Sequence, residues 1–461
     1  MKSKKTKIGK VVSHILLVVL IGCLFSAIGG CNNKEPEKVE YEDLPVDIEV
    51  TSNIDNTYEY LAPHIMSDGQ RYTGNGIEYP EELWDTPKFE EYPALDREDL
   101  NVKAYFYESP VKVDGKRTKI FAYMGFPQGA SQTDKVPAVV LVHGGLGTAF
   151  ADWVKYWNDL GFAAISMDTE GGQPKADTTM DNGNHDERNV YDGNADFAAG
   201  PTNNGFEENI PTEQMWMYHA TSAVIAANSF IRSQTCVDAD KVGITGISWG
   251  GVITSIVTGF DNRFLFSIPV YGTLSLYQKS FGDFLNVHKN EKNAALWDTT
   301  DILKDCTTPM LIVNSDKDYA FSVDASSRTY LAKKVNTFLT ITPDLAHNQR
   351  TGATHTSVAE FAQNMVAQDK YFVKFIQEPT TKEPVIQFRN TEDVKITEID
   401  VVYTESEKTN SSAVWQSLQQ AKYNRGVVRL NVPENTKYCY VRIIYEINEY
   451  SYNICSSILS L

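Results

Sequence analysis

Gly246-Ile247-Ser248-Trp249-Gly250-Gly251 sets a serine between glycines two positions to either side. That spacing suits a hydroxyl carried on a sharp turn between a strand and a helix, because backbone crowds both flanks and a side chain there would clash. A serine hydroxyl is a poor nucleophile at neutral pH; it needs a base to take its proton and an acid to hold that base. Two later segments offer them. Ser315-Asp316-Lys317-Asp318 follows the apolar run Met310–Asn314, and Asp344-Leu345-Ala346-His347 follows Phe338–Thr342. Asp318 is favoured as the acid, since it lies a few residues into its loop past a tight turn at Ser315, which leaves Asp316 as a solvated turn residue. His347 is favoured over His355, which sits close to a helix start, while His185, His219 and His288 are off the expected positions and read as structural or exposed. The chemistry open to Ser248, Asp318 and His347 is acyl transfer. Its oxyanion needs preorganised backbone N–H donors, one of which is worth roughly 3 kcal/mol. Trp249, the residue after the serine, is the first candidate, and His143-Gly144-Gly145-Leu146-Gly147 offers a second at Gly145 or Leu146.

The elements needed to position these groups are visible in the patterning. Alternating stretches at Val102–Glu108 and Thr118–Gly125, with Asp114-Gly115 between them, predict an antiparallel hairpin. Short, continuously apolar strands then alternate with amphipathic helices, which is the pattern of a mostly parallel sheet covered on both faces. Strands are expected at Pro137–His143, Phe162–Asp168, Lys241–Ile247, Phe264–Tyr271, Met310–Asn314 and Phe338–Thr342. Helices are expected where Phe150, Trp153, Val154, Trp157 and Leu160 share a face, over Glu213–Ser233, over Trp249–Gly259, and from Ser357, with Glu360 completing a capping box, to about Ile376. The Asn-, Asp- and Gly-rich segment Gly171–Pro211 is long for such a connection and is either a cover over the site or a solvated insertion. From Glu383 to Leu461 the pattern turns to β-branched and aromatic alternation, in Val394–Tyr403, Val427–Val432 and Cys439–Tyr445, predicting a small C-terminal β-sandwich.

A chain of 461 residues favours two domains plus processing segments. Residues 1–30 combine five lysines with an apolar run from Val11 to Ala27 that is shorter than a membrane span, and Ile28-Gly29-Gly30-Cys31 resembles the bacterial lipobox. The expectation is an export signal, a lipid anchor at Cys31 that tethers the protein to a membrane, and an acidic linker through residue 47 containing the run Glu35–Asp43. Residues 48–95 read as a strap on a main domain extending to residue 378. Loss of the leader removes five lysines and no acid from a formal charge of −18, so the processed chain carries about −23. Such a surface excludes nucleic acid as a partner, since a duplex requires a basic face. An exported protein can form disulfides and Cys439 with Cys455 could pair, a point the sequence leaves open, and no cysteine spacing suggests zinc.

The stretches Val142–Thr148, Val237–Gly251 and Leu311–Asp318 resemble the acetylxylan esterase and dienelactone-hydrolase-like branch of the α/β hydrolases and, more distantly, the prolyl-oligopeptidase-type catalytic domain. The resemblance covers about Val102–Ile376, and the tail is similar to the C-terminal domain of some bacterial members. It implies an α/β-hydrolase fold, a triad at Ser248, Asp318 and His347 in the chain order of that fold, and no metal or cofactor. Leu146 stands where glycines are common, and Ser315 where many members have glycine. The implied function is a serine carboxylic-ester hydrolase, on acetylated polysaccharide of the acetylxylan type. The alternatives are a prolyl-oligopeptidase-like serine peptidase and, in another class, a glycan-binding surface lipoprotein with a vestigial hydrolase core.

Overall fold

The computed structural model describes residues 64, 74–183, 189–190, 196–203, 209–276, 291–333, 335–367, 373–382, 384–390, 394–419, 426–447 and 450–461. The expected leader, Cys31, the acidic linker, His185 and His288 lie outside the described residues.

A mixed sheet of ten described strands forms the centre. We number nine of them β1 (Phe89–Glu91), β2 (Val102–Val113), β3 (Lys116–Gly125), β4 (Val136–Val142), β5 (Ala163–Met167), β6 (Val237–Ile247), β7 (Phe266–Val270), β8 (Met310–Ser315) and β9 (Thr337–Thr342). Their order across the sheet is β1-β2-β3-β5-β4-β6-β7-β8-β9, and the short strand Phe197–Ala198 adds to β3. Strands from β5 to β9 run parallel, and the β2–β3 hairpin joins them antiparallel through β5. Residues such as Val139, Val140, Leu141, Ile244, Ile268 and Ile312 are wholly buried on these strands, which is why they read as continuous apolar runs.

Helices cover both faces: α1 (Ala151–Asp159), α2 (Trp216–Arg232), α3 (Trp249–Phe260), α4 (Glu291–Trp297), α5 (Thr299–Ile302), α6 (Val323–Ala332), α7 (Gln349–Ala353) and α8 (Thr356–Ala367). Nearly the whole length of α2 is buried, because the strap lies across it: Tyr79 stacks on Tyr218 at 4.7 Å, the Tyr218 hydroxyl donates to Glu78 O, and Ser229 Oγ donates to Leu83 O. His219, on this helix, is kept neutral by burial, which lowers its pKa to about 4.

Beyond α8 the chain forms two antiparallel sheets. Strands β10 (Lys374–Gln377), β11 (Val385–Arg389) and β14 (Val427–Arg429) make one. The other joins β12 (Lys395–Thr404), β13 (Gln416–Gln419), β15 (Tyr438–Ile447), β16 (Tyr450–Cys455) and β17 (Leu459–Ser460). This smaller β-rich region packs on the β8–β9 end of the main sheet, where Val402, Tyr440 and Cys455 join Met310, Ile312, Leu339 and Ile341 in one apolar cluster.

Two expectations are corrected here, and the open question of the cysteines is answered. The helix expected to reach Ile376 is described over Thr356–Ala367, and Lys374–Gln377, within the expected helix, is instead the first strand of the tail. Ser357 lies inside α8 and Glu360 makes no capping box; its carboxyl receives a hydrogen bond from Tyr452 of β16. Cys439 and Cys455 are free thiols, since β15 aligns Cys439 with Leu459 and Cys455 with Arg442.

Burial lifts the Glu360 carboxyl to about 9, against the opposing pull of the Tyr452 hydrogen bond. The folded form therefore holds a proton that the unfolded chain, titrating near 4.5, releases. Stability falls as pH rises between those two values and levels off above the higher one. Glu360→Gln removes that loss. Thermal unfolding at pH 5 and pH 9 is expected to show wild type losing more Tm over this interval than the variant, and an equal loss in both would refute the assignment.

Candidate active site

Ser248 sits between β6 and α3 with φ of +56° and ψ of −120°, a conformation that costs roughly 1–3 kcal/mol and holds only where the surroundings enforce it. The enforcement is visible. The Ser248 N–H donates to Val270 O at 2.8 Å, and its carbonyl accepts the Val252 N–H at 3.0 Å. A Cβ on Gly246 would run into Gly250 O, and one on Gly250 into Val142 O, so the two flanking glycines are what allow the turn to close.

The turn leaves Ser248 half-buried, with Oγ 2.9 Å from His347 Nε2. His347 Nδ1 meets Asp318 Oδ2 at 2.6 Å. Asp318 is only 1 % exposed, and its other oxygen accepts the N–H groups of Ala320 and Phe321 at 2.8 and 2.6 Å. Both carboxylate oxygens thus have hydrogen-bond partners, as a buried polar group requires. Three rings surround the imidazole, with centroids at 4.7 Å for Tyr271, 4.8 Å for Tyr319 and 6.1 Å for Phe321. Tyr271 also donates its hydroxyl to Ala346 O at 2.9 Å, fixing the loop that carries the histidine.

The rival candidates lie elsewhere. His355 Nε2 contacts Thr342 Oγ1 at 3.1 Å and takes no part in the Ser248 chain. Asp316 is not the solvated turn residue expected. It is buried, its Oδ1 accepts the Asp344 N–H at 2.8 Å, and burial raises its pKa. Between the two aspartates, Lys317 donates to Ala413 O of the β-rich region at 2.6 Å.

The expected oxyanion loop follows β4. Gly147 N–H bonds Gly144 O at 3.0 Å, closing a turn in which Leu146 takes φ of +65°. This is the left-handed position that glycine fills at no steric cost, so a leucine there must be held. The holder is Glu170, a buried residue whose Oε1 accepts the Leu146 N–H at 2.5 Å and whose Oε2 accepts the Asn203 N–H at 3.4 Å. Leu146 is therefore corrected as a candidate donor, because its N–H is already engaged. On the other flank, the Gly144 N–H donates to Gln349 Oε1 at 3.1 Å. Between them the Gly145 N–H has no partner among the described residues. A Cβ on Gly145 would strike the Trp249 ring, so this glycine permits the loop to close on the serine turn. Trp249 itself is the first residue of α3, directly after Ser248.

Glu170 and Gln349 were not legible as site residues. Gln349 had one signal, its place two residues beyond His347. Glu170 had none, since its partners are backbone groups 24 and 33 residues away. Within Gly171–Pro211, Asn203 lies against Gly145, and Asp181 is tied at 2.5 Å to Arg350 of α7, which also holds Asp152 at 2.9 Å.

This fold and site define a hydrolase of the α/β-hydrolase-like clan of esterases and peptidases. Within that clan, the model of the acetyl xylan esterase family (AXE1) matches residues 79–289, which hold Ser248 and the Gly144–Gly147 turn and stop short of Asp318 and His347. Among curated proteins, dipeptidyl-peptidase 5 of Aspergillus oryzae is 22 % identical over 243 residues, covering 48 % of this chain and 29 % of that protein. The chain thus spans less than a third of the length of the curated relatives it matches. Among solved structures, the acetyl xylan esterase from Paenibacillus sp. R4 superposes with a TM-score of 0.44 at 14 % identity, covering 67 % of this chain and 97 % of that one. The acylaminoacyl peptidase of Pyrococcus horikoshii gives 0.39 at 16 % identity, covering 61 % and 42 %.

Proposed function

We propose that the chain hydrolyses acyl compounds through a covalent acyl-enzyme on Ser248. The carrying observation is the unbroken hydrogen-bonded line from Ser248 Oγ through His347 to the buried Asp318. In this mechanism His347 Nε2 takes the serine proton as Oγ adds to the carbonyl carbon, and the Gly145 and Trp249 N–H groups receive the oxyanion. The same imidazole then protonates the departing atom, and later activates water to release the acyl group.

For the substrate, the curated relatives favour a peptide-type amide over the acetylated polysaccharide expected from sequence, and we place the peptidase reading first. The ester reading keeps the support of the family model over residues 79–289. On sequence alone we further propose that Cys31 carries the lipid anchor of an exported protein.

Acid-quenched reactions with a dipeptidyl p-nitroanilide and with p-nitrophenyl acetate, followed by peptide mapping, test this. An acyl adduct on the Ser248 peptide is expected. Cleavage of the anilide supports the peptidase, whereas release of acetate from acetylated xylan without anilide cleavage transfers the assignment to the ester reading. No adduct from either substrate would overturn both.

A further inference from the structure

Tyr319 follows Asp318 directly, and its ring lies 4.8 Å from that of His347 at an interplanar angle of 49°. The other two rings around the imidazole, Tyr271 and Phe321, are buried, whereas Tyr319 is 54 % exposed. It is one of the few large apolar side chains so exposed among the described residues. An aromatic face is thus left open to solvent beside the imidazole.

The position carries a chemical meaning under the acyl-enzyme mechanism, on which this inference rests. The leaving atom must approach His347 Nε2 to receive its proton, so whatever is bonded to that atom lies on the histidine side of the site, while the acyl group lies towards Ser248 and Gly145. We propose that Tyr319 is the leaving-group contact, taking groups with an apolar or aromatic face against its ring. Offset or edge-on ring packing supplies the attraction.

The two half-reactions separate this role from mere support of the histidine. His347 works in both acylation and deacylation. The leaving group is present only in the first. For Tyr319→Ala, kcat/KM for phenyl acetate relative to methyl acetate is expected to fall roughly tenfold. The decay of the acetyl-enzyme, followed by intact mass after mixing and quenching, is expected to keep its wild-type rate within about twofold. Tyr319→Phe retains the ring and is expected to retain the phenyl-over-methyl ratio.

A parallel loss in acylation and deacylation would show that Tyr319 only steadies His347 and would overturn the proposal. So would an equal loss for the two esters. Absence of any acetyl-enzyme in wild type would instead strike the mechanism beneath it, and the mass spectrum distinguishes that failure from the others.

Discussion

Ser248→Ala is expected to lower kcat by about 10⁴-fold or more while leaving the fold intact. The substitution deletes one oxygen, and no carbon changes place. Backbone bonds from Ser248 to Val270 and Val252 hold the turn, and alanine meets the same steric demand at φ of +56° that serine already meets. Without the oxygen His347 has no proton to take and no covalent intermediate forms. The residual rate comes from substrate held against the Gly145 and Trp249 N–H groups, with water in place of the serine. Turnover of p-nitrophenyl acetate and thermal unfolding, measured together, check this; a variant retaining a tenth of the activity would remove serine catalysis from consideration.

Asp318→Asn carries the second largest expected effect, a loss in kcat of about 10⁴-fold with little change in KM. The carboxylate accepts from His347 Nδ1 through one oxygen and from the Ala320 and Phe321 N–H groups through the other. An asparagine keeps its carbonyl on the two backbone donors and turns its NH₂ towards the imidazole. Nδ1 then becomes an acceptor, the ring proton moves to Nε2, and Nε2 can no longer take the proton of Ser248. Asp316→Asn, which keeps the oxygen that caps the Asp344 N–H, provides the comparison and is expected to lose less than about tenfold. If the two variants lost activity equally, the assignment of the acid to Asp318 would fail.

The serine turn was legible because its requirements are local: a strand, two glycines at fixed offsets and a helix all lie within a few residues. The parallel strands were legible for a similar reason, since burial on both faces writes an unbroken apolar run. Elements whose partners are remote in sequence left no such mark. The carboxyl of Glu360 matched a capping pattern, but the helix begins at Thr356, which places Ser357 and Glu360 inside it, and Tyr452, on a strand far along the chain, donates to that carboxyl. Lys374–Gln377 continued the apolar spacing of α8 and was absorbed into it, although pairing with Val385–Arg389 makes it a strand. At Leu146 the sequence left two donors open. Only the bond to Glu170 decides between them, and a buried carboxylate serving two backbone groups has no sequence signature.

The contact between the β-rich region and β9 bears on how the protein behaves when many copies are crowded together. A terminal strand of a large sheet offers unpaired backbone on which a neighbouring molecule can build, and proteins suppress this by covering or charging the margin. At β9, Thr340 Oγ1 donates to Asn453 O at 2.9 Å and the Cys455 thiol approaches Ile341 O, so the tail occupies that flank. At the opposite margin β1 is three residues long, with Glu90 and Glu91 paired to Lys119 and Lys103. Neither margin gives a second molecule a long, flat, uncharged ladder to extend, so trimming the tail is a route to fibrous association through β9 even where the serine turn survives.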